Sequence, residues 1–514
     1  LWANDFWIRA FPRLKSFSQA AISLHATRAK ILCPKDTALN NNLHPRLYLP
    51  ALVILSALLF AIRVSGPEEY MELGQHLQLS YIIDVLENRS WIMPRDMMGD
   101  VASKPPLAVW LSAGLCLLFN SRDLTLMYAP GALASLGLAL LCFRAGRRWF
   151  GSDAGMVAAY AYTLSYFGFR SAAFLRSDPV FAFFCFLSAC LAMDIVLGKS
   201  AENGRSKSRA WIWFWLAASM ATLAKGPLVL IFVAGAWFFS RKTIQQGREK
   251  QRSIRCLPRV HPSFVLGLGL YLVITGGWLF LATGVGGARV VEKQIFSELF
   301  GHLLKGENNE RPFSMAINIP HYFLTGFAPW SLAALVAIWS MRRRCPMDRA
   351  QWRAQAFLAA YLLFGLAILA IAPRQRLYYL QPLIPAATVL AAPALLGWKK
   401  RYAPAFPWAA IVAATSLIFV LACAYYVREI RPKHHSYRRH QNSAALVAMI
   451  RREAPPDLPL TFSDSPYAVQ YLLGTHKRQL SVGEARDLLQ SEEPAYIVVS
   501  HAWNLIKDWP ASAP

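Results

Sequence analysis

Apolar residues recur along the chain in runs long enough, or nearly so, for a helix to cross roughly 30 Å of hydrocarbon. The runs fall near 47–64, 123–143, 154–170, 179–197, 211–223, 227–239, 262–283, 320–340, 355–372, 377–396 and 405–426. Backbone polar groups in lipid must bond within their own segment, so the pattern predicts helices and not strands. A further run at 106–119 is short for a crossing and predicts a juxtamembrane or re-entrant helix. From 427 onward the apolar runs stop. There helix 441–452, strand 459–463, helix 465–472, strand 478–482, helix 483–490 and strand 495–500 are expected to alternate. That order predicts a small α/β domain outside the membrane.

The segments between the apolar runs are of two kinds. One kind is basic: residues 1–46, then Arg144, Arg147 and Arg148, then 198–210, then 241–261 with seven Lys/Arg, then Arg342–Arg344, then Lys399–Arg401. The other is mixed or acidic: loop 66–105 holds three Lys/Arg against seven Asp/Glu, and loop 284–319 holds four of each. The two kinds alternate, and the positive-inside rule assigns the basic set to the cytoplasm. Residues 1–46, which lack a signal-peptide pattern, are then expected to form a cytoplasmic extension. The membrane core is expected over 47–426, with external loops 66–105 and 284–319, and the C-terminal domain over 427–514, also outside. Counting 106–119 as re-entrant gives eleven crossings.

Composition agrees. Of 514 residues 55% are hydrophobic and 16% charged, where a soluble protein carries about a quarter charged. Soluble multidomain and disordered classes are excluded. The net charge of +25 does not indicate nucleic acid, because the basic residues lie between apolar runs. None of the eight cysteines falls in a large external loop or the tail, so no disulfide framework is expected.

Some charged residues escape this orienting role and sit at external ends of spans, where they are costly and tend to be functional. Glu68 and Glu69 precede Tyr70 directly after the first span. Adjacent carboxylates repel, which favours a proton-accepting role for one of them. Lys104 stands before Pro105 and Pro106, where the loop re-enters the membrane. Arg176 precedes Asp178 between two spans. Lys225-Gly226-Pro227 is expected at the outer tip of a hairpin, because 211–239 is too long for one span. Arg374 and Arg376 lead into Tyr378 and Tyr379 in a tight external turn, against the positive-inside bias. In loop 284–319, Val291, Ile295, Leu299 and Leu303 share one helical face, which suits a helix lying in the interface.

A carboxylate beside several cations at a membrane surface suits transfer of a group from a lipid phosphate. The leaving phosphate is a stable anion and needs cations, not a general acid. The acceptor hydroxyl needs a base.

The stretch Glu68-Glu69-Tyr70, Trp91-Ile92-Met93-Pro94 and Lys104-Pro105-Pro106-Leu107 resembles the first external loop of a family of bacterial membrane glycosyltransferases. These are the enzymes related to lipid A aminoarabinose transferase and protein O-mannosyltransferase. The resemblance continues through Arg147–Gly151, Ser177-Asp178, Ala224–Pro227 and Tyr378–Pro382. It implies the C-type glycosyltransferase (GT-C) fold: an all-α polytopic core of about eleven to thirteen transmembrane helices with an external active site. It implies a hexosyl or pentosyl transferase in the bacterial inner membrane that uses a polyprenyl-phosphate sugar and a lipid or protein acceptor at the periplasmic face. By position, Glu68, Glu69 and Asp178 would be catalytic. Lys104, Lys225, Arg374 and Arg376 would bind the donor phosphate. Tyr70, Arg176, Tyr378 and Tyr379 would line the substrate site. The family's usual pair is Asp-Glu, and here its first member is Glu68. Where some members carry a metal-associated Glu before the lysine, this chain has Ser103, so a divalent metal stays an open option with no assigned ligand. An envelope-polysaccharide ligase or polymerase, and a flippase for lipid-linked sugar, are the alternative classes.

Overall fold

The computed structural model describes residues 45–66, 68, 74–197, 204–245, 261–294, 317–341, 348–372, 375–454, 460–463, 465, 467–491 and 496–499. Among these are nineteen α-helices and two short strands. The protein is an all-α polytopic membrane protein, as the apolar pattern predicts.

The chain enters through α1 (Pro45–Val64) and continues into α2 (Gln75–Asn88), within the segment 66–105, and α3 (Leu107–Leu118), the short run expected to be juxtamembrane or re-entrant. The core follows: α4 (Leu124–Phe150), α5 (Ser152–Thr163), α6 (Tyr166–Ala172), α7 (Asp178–Leu197), α8 (Gly204–Lys225), α9 (Leu228–Gln245) and α10 (Pro262–Gly286). Next come α11 (Ala288–Val291), α12 (Asn318–Gly326), α13 (Trp330–Ser340), α14 (Arg349–Ile371), α15 (Ile384–Tyr402) and α16 (Trp408–Tyr425). A π-turn and a 3-10 turn carry α16 into α17 (His435–Glu453). Beyond it lie β1 (Leu460–Ser463), α18 (Tyr467–Leu473), α19 (Val482–Gln490) and β2 (Tyr496–Val499).

Among the described residues six helices are long and apolar enough to cross a membrane, with α12 and α13 a seventh if they form one span. That pair is bent by 111° at Pro329, whose missing N–H cannot continue a helix. The expected span 154–170 is also broken. Ser165 accepts a hydrogen bond from the Gly168 amide at 3.1 Å and caps α6 as a new helix. α3 spans 12 residues, about 18 Å at 1.5 Å per residue, and so cannot cross alone.

Core and periphery differ in burial. α4, α7 and α14 each have 56% of their apolar window buried, against 11% for α10 and for the helix from Trp408 to Lys433. Leu266 and Phe280 on α10, and Ile418 and Leu421 on α16, are exposed, as suits side chains facing lipid. α4 and α5 approach closely where Gly146 meets Gly155: a Cβ on Gly146 would fall 2.7 Å from the Gly155 Cα.

β1 and β2 run parallel, with Leu460 opposite Tyr496 and Ser463 opposite Val499. The expected strand 478–482 is reduced to a single bridge between Ser463 and Leu480. This C-terminal part rests on α2 and the loop after it. The expected interfacial helix beyond Gln294 lies outside the described residues.

Candidate active site

Three distant pieces of sequence meet around Asp178. Its carboxyl sits at the first residue of α7, where the helix dipole favours negative charge, and it is 1% exposed. Arg176 donates from Nε to Asp178 Oδ2 at 3.0 Å. Lys225, the last residue of α8, donates from Nζ to the other oxygen, Oδ1. A cation there also suits the C-terminal end of the helix dipole. Gly226 makes the turn into α9 with φ +105°, a conformation that favours glycine. This is the hairpin that the sequence predicts at 225–227.

The third piece is the 3-10 turn Leu377–Leu380. The Arg176 guanidinium lies 4.5 Å from the centre of the Tyr378 ring, and the Lys225 ammonium 4.4 Å from that of Tyr379. The two rings meet edge to face at 5.0 Å. Each cation is thus held between a carboxylate and an aromatic face, an arrangement that is stronger when desolvated. Both oxygens of Asp178 are engaged by cationic donors.

Lys104 is half-buried, and its charge acts on Asp178. It follows a compact turn in which Arg95 pairs with Val101. Arg376 is exposed, and its charge acts on Tyr378. On α2, Gln75 accepts the Leu175 amide at 2.8 Å through Oε1. Its neighbour His76 has its pKa pushed below the ordinary value by burial and by Arg176. Gly74 (φ +75°) brings the backbone against Arg176, where a Cβ would lie 2.9 Å from the guanidinium.

Glu68 lies in a neighbouring place. It lines a cavity of about 300 Å³ with Arg63, Asp123, Tyr128, Arg431 and Tyr471. Arg63 is 2% exposed and Arg431 5%. Arg63 donates to the Ala173 carbonyl at 3.4 Å, and Arg431 to the Arg63 carbonyl at 3.0 Å. Ala173 also lines the cavity, so the segment from Ala173 to Asp178 joins it to the Asp178 cluster. Glu69, Tyr70 and Arg374 lie outside the described residues. Among the described residues no group of three His, Cys, Asp or Glu side chains could hold a metal ion, and no metal ligand is assigned.

Arg63 and Arg431 escape the sequence reading. Arg63 falls inside the first apolar run, in the last turn of α1. Arg431 follows the last run and carries no motif.

The chain has the helical membrane fold of the C-type membrane glycosyltransferases. A family model described as dolichyl-phosphate-mannose-protein mannosyltransferase matches residues 103–253, which include Lys104, Asp178 and Lys225. ArnT from Cupriavidus metallidurans, solved bound to undecaprenyl phosphate, has a TM-score of 0.69 at 16% identity, covering 90% of this chain and 94% of that one. Its apo state gives 0.68 at 15% identity, with 91% and 94% covered. The apo oligosaccharyltransferase of Archaeoglobus fulgidus gives 0.50 at 13% identity, covering 84% of this chain and 64% of that one. In sequence, an uncharacterised protein of Aquifex aeolicus (strain VF5) is 24% identical over 327 residues, 61% of this chain. The match spans 58% of that relative's own length. What is shared at these identities is the fold.

Proposed function

We propose that the protein transfers a hexosyl or pentosyl group from a polyprenyl-phosphate donor to a lipid or protein acceptor at the periplasmic face of the bacterial inner membrane. The observation that carries this reading is the buried Asp178 carboxylate, which holds Arg176 against Tyr378 and Lys225 against Tyr379 at the ends of two helices. A fixed cationic site needs no reorganisation as charge develops on a leaving phosphate.

In the reaction the acceptor oxygen attacks the anomeric carbon. The bond from that carbon to the phosphate oxygen breaks, and polyprenyl phosphate leaves with the bonding electrons. Lys104 and Arg376 bind the phosphate, with Lys225 and Arg374 adding positive charge. Glu68 takes the acceptor proton, with Glu69 as its neighbour. Asp178 fixes the cations. Tyr70, Arg176, Tyr378 and Tyr379 line the sugar and phosphate path. The ArnT structure bound to undecaprenyl phosphate supports this donor class.

The test is sugar transfer by the purified full-length protein in detergent with polyprenyl-phosphate sugars, read as release of polyprenyl phosphate. Glu68→Gln is expected to lower the rate by roughly a hundredfold or more, and Lys104→Ala to abolish donor use, while both variants stay folded. Wild-type rates in both variants would overturn the site.

A further inference from the structure

The C-terminal part touches the outer loop at the turn that leads to Lys104. In that turn Asp96 accepts the Met98 and Asp100 amides, each at 3.0 Å. The Ala102 amide donates to the Pro94 carbonyl at 2.8 Å. The turn is held from α2 by Asp84, whose Oδ2 accepts the Arg95 amide at 2.8 Å. It is held from the other side by the extended segment His476–Leu480. The Gln479 amide donates to the Met97 carbonyl at 2.6 Å. Gly99 (φ +79°) passes so close to Arg478 that a Cβ would lie 3.4 Å from its Cδ.

His476 completes the grip. Its Nδ1 is 3.7 Å from Asp84 Oδ1, with both side chains almost fully buried. Its ring also lies 3.5 Å from Ser80 Oγ and 3.5 Å from the Asn88 amide nitrogen. The same α2 reaches the rest of the site. Gln75 holds the Leu175 amide next to Arg176, and the Tyr81 hydroxyl lies against Ser103, the residue before Lys104. Tyr467 packs at a tilt against His76 with ring centres 5.0 Å apart. The C-terminal part therefore grips a helix that reaches the residues next to Arg176 and Lys104.

We propose that the segment His476–Leu480 is a clamp that positions Lys104 for the donor phosphate, with His476 as a positioning residue acting through Asp84 and the Arg95–Val101 turn. The inference rests on the donor reading of Lys104 given above. It gives the C-terminal part a place in donor binding, for which its own sequence carries no motif.

The test uses the full-length protein in detergent with two readouts: amide hydrogen exchange over Arg95–Lys104, and affinity for undecaprenyl phosphate. His476→Phe keeps the ring volume and loses both nitrogens, whereas His476→Gln keeps a polar end. Exchange in His476→Phe is expected to rise about tenfold. Its affinity is expected to fall about tenfold, because small misplacement of a binding group costs that much or more. His476→Gln should stay within about threefold of wild type, and all three proteins should melt within about 3 °C of one another. If His476→Phe melts early, Ser80→Ala, which removes one contact of the same ring, carries the same comparison. Unchanged exchange overturns the clamp, and raised exchange with unchanged affinity overturns its role in donor binding. If the wild type does not bind undecaprenyl phosphate, the donor reading itself falls, and exchange alone decides whether the segment holds the turn.

Discussion

Helix α7 carries one aspartate near each end, and each is paired with two cations. Asp194 meets Arg148 at 2.5 Å and Arg144 at 3.4 Å, with the arginine side chains 41% and 60% exposed. Asp178 meets Arg176 and Lys225, whose side chains are only 10% and 13% exposed. The formal charges match, and the surroundings do not. The arginines at Asp194 reach water, which screens the set, and they stand where the positive-inside rule places them. The set at Asp178 is desolvated and lies at the opposite end of the helix, where the sequence leads one to expect few cations. Buried ion groups add little net stability but are costly to break. Their desolvated presence at that end of the helix is therefore better explained by a task than by the fold.

The largest expected effect is on Asp178. Asp178→Ala leaves two buried cations without their carboxylate and should cost about 3–5 kcal/mol, read as a lower melting temperature in detergent, with transfer lost. Replacing Lys225 as well tests whether the groups form one unit. The double variant Asp178→Ala/Lys225→Met should be more stable than the sum of the single losses by about 1 kcal/mol or more. Simple additivity would break the picture of a coupled cluster. Asp194→Asn should cost under about 1 kcal/mol and leave transfer within about threefold of wild type. An equal loss at both ends would erase the contrast.

The smallest effect is one of pH. Burial holds the His476 imidazole below the ordinary histidine range, against the pull of Asp84, Glu87 and Asp96. Of these, Glu87 is already paired with Arg122. The undocked ring binds its proton more readily, so docking is favoured at higher pH and weakens as pH falls through the depressed value. Exchange over Arg95–Lys104 should rise on acidification below about pH 6.5 in the wild type and stay flat in His476→Gln.

Much of this contrast is legible in the sequence because both parts rest on strong signals. Apolar runs near 20 residues mark spans, and charge asymmetry sorts the loops. That sorting exposes Lys104, Arg176, Lys225 and Arg376 as cations on the wrong side. The turn at Gly226-Pro227 is readable because the run 211–239 is too long for one span and carries a Gly-Pro pair near its middle. The break at Ser165 is not readable, since one serine in an apolar run carries little weight until its side chain caps the Gly168 amide. Nor is the cavity at Glu68. Its arginines come from residues 63 and 431, and only folding brings α1 and the turn after α16 together. The grip of His476 on Asp84 is hidden for the same reason, since neither neighbourhood carries a motif.

Photo-crosslinking with an undecaprenyl phosphate analogue reactive near its phosphate tests the central claim most directly. The account predicts labelling of the full-length protein at peptides containing Lys104 or Arg376, removed by excess undecaprenyl phosphate. Labelling confined to the basic segments around Arg144 or Arg241, or labelling that excess ligand does not compete away, would contradict it.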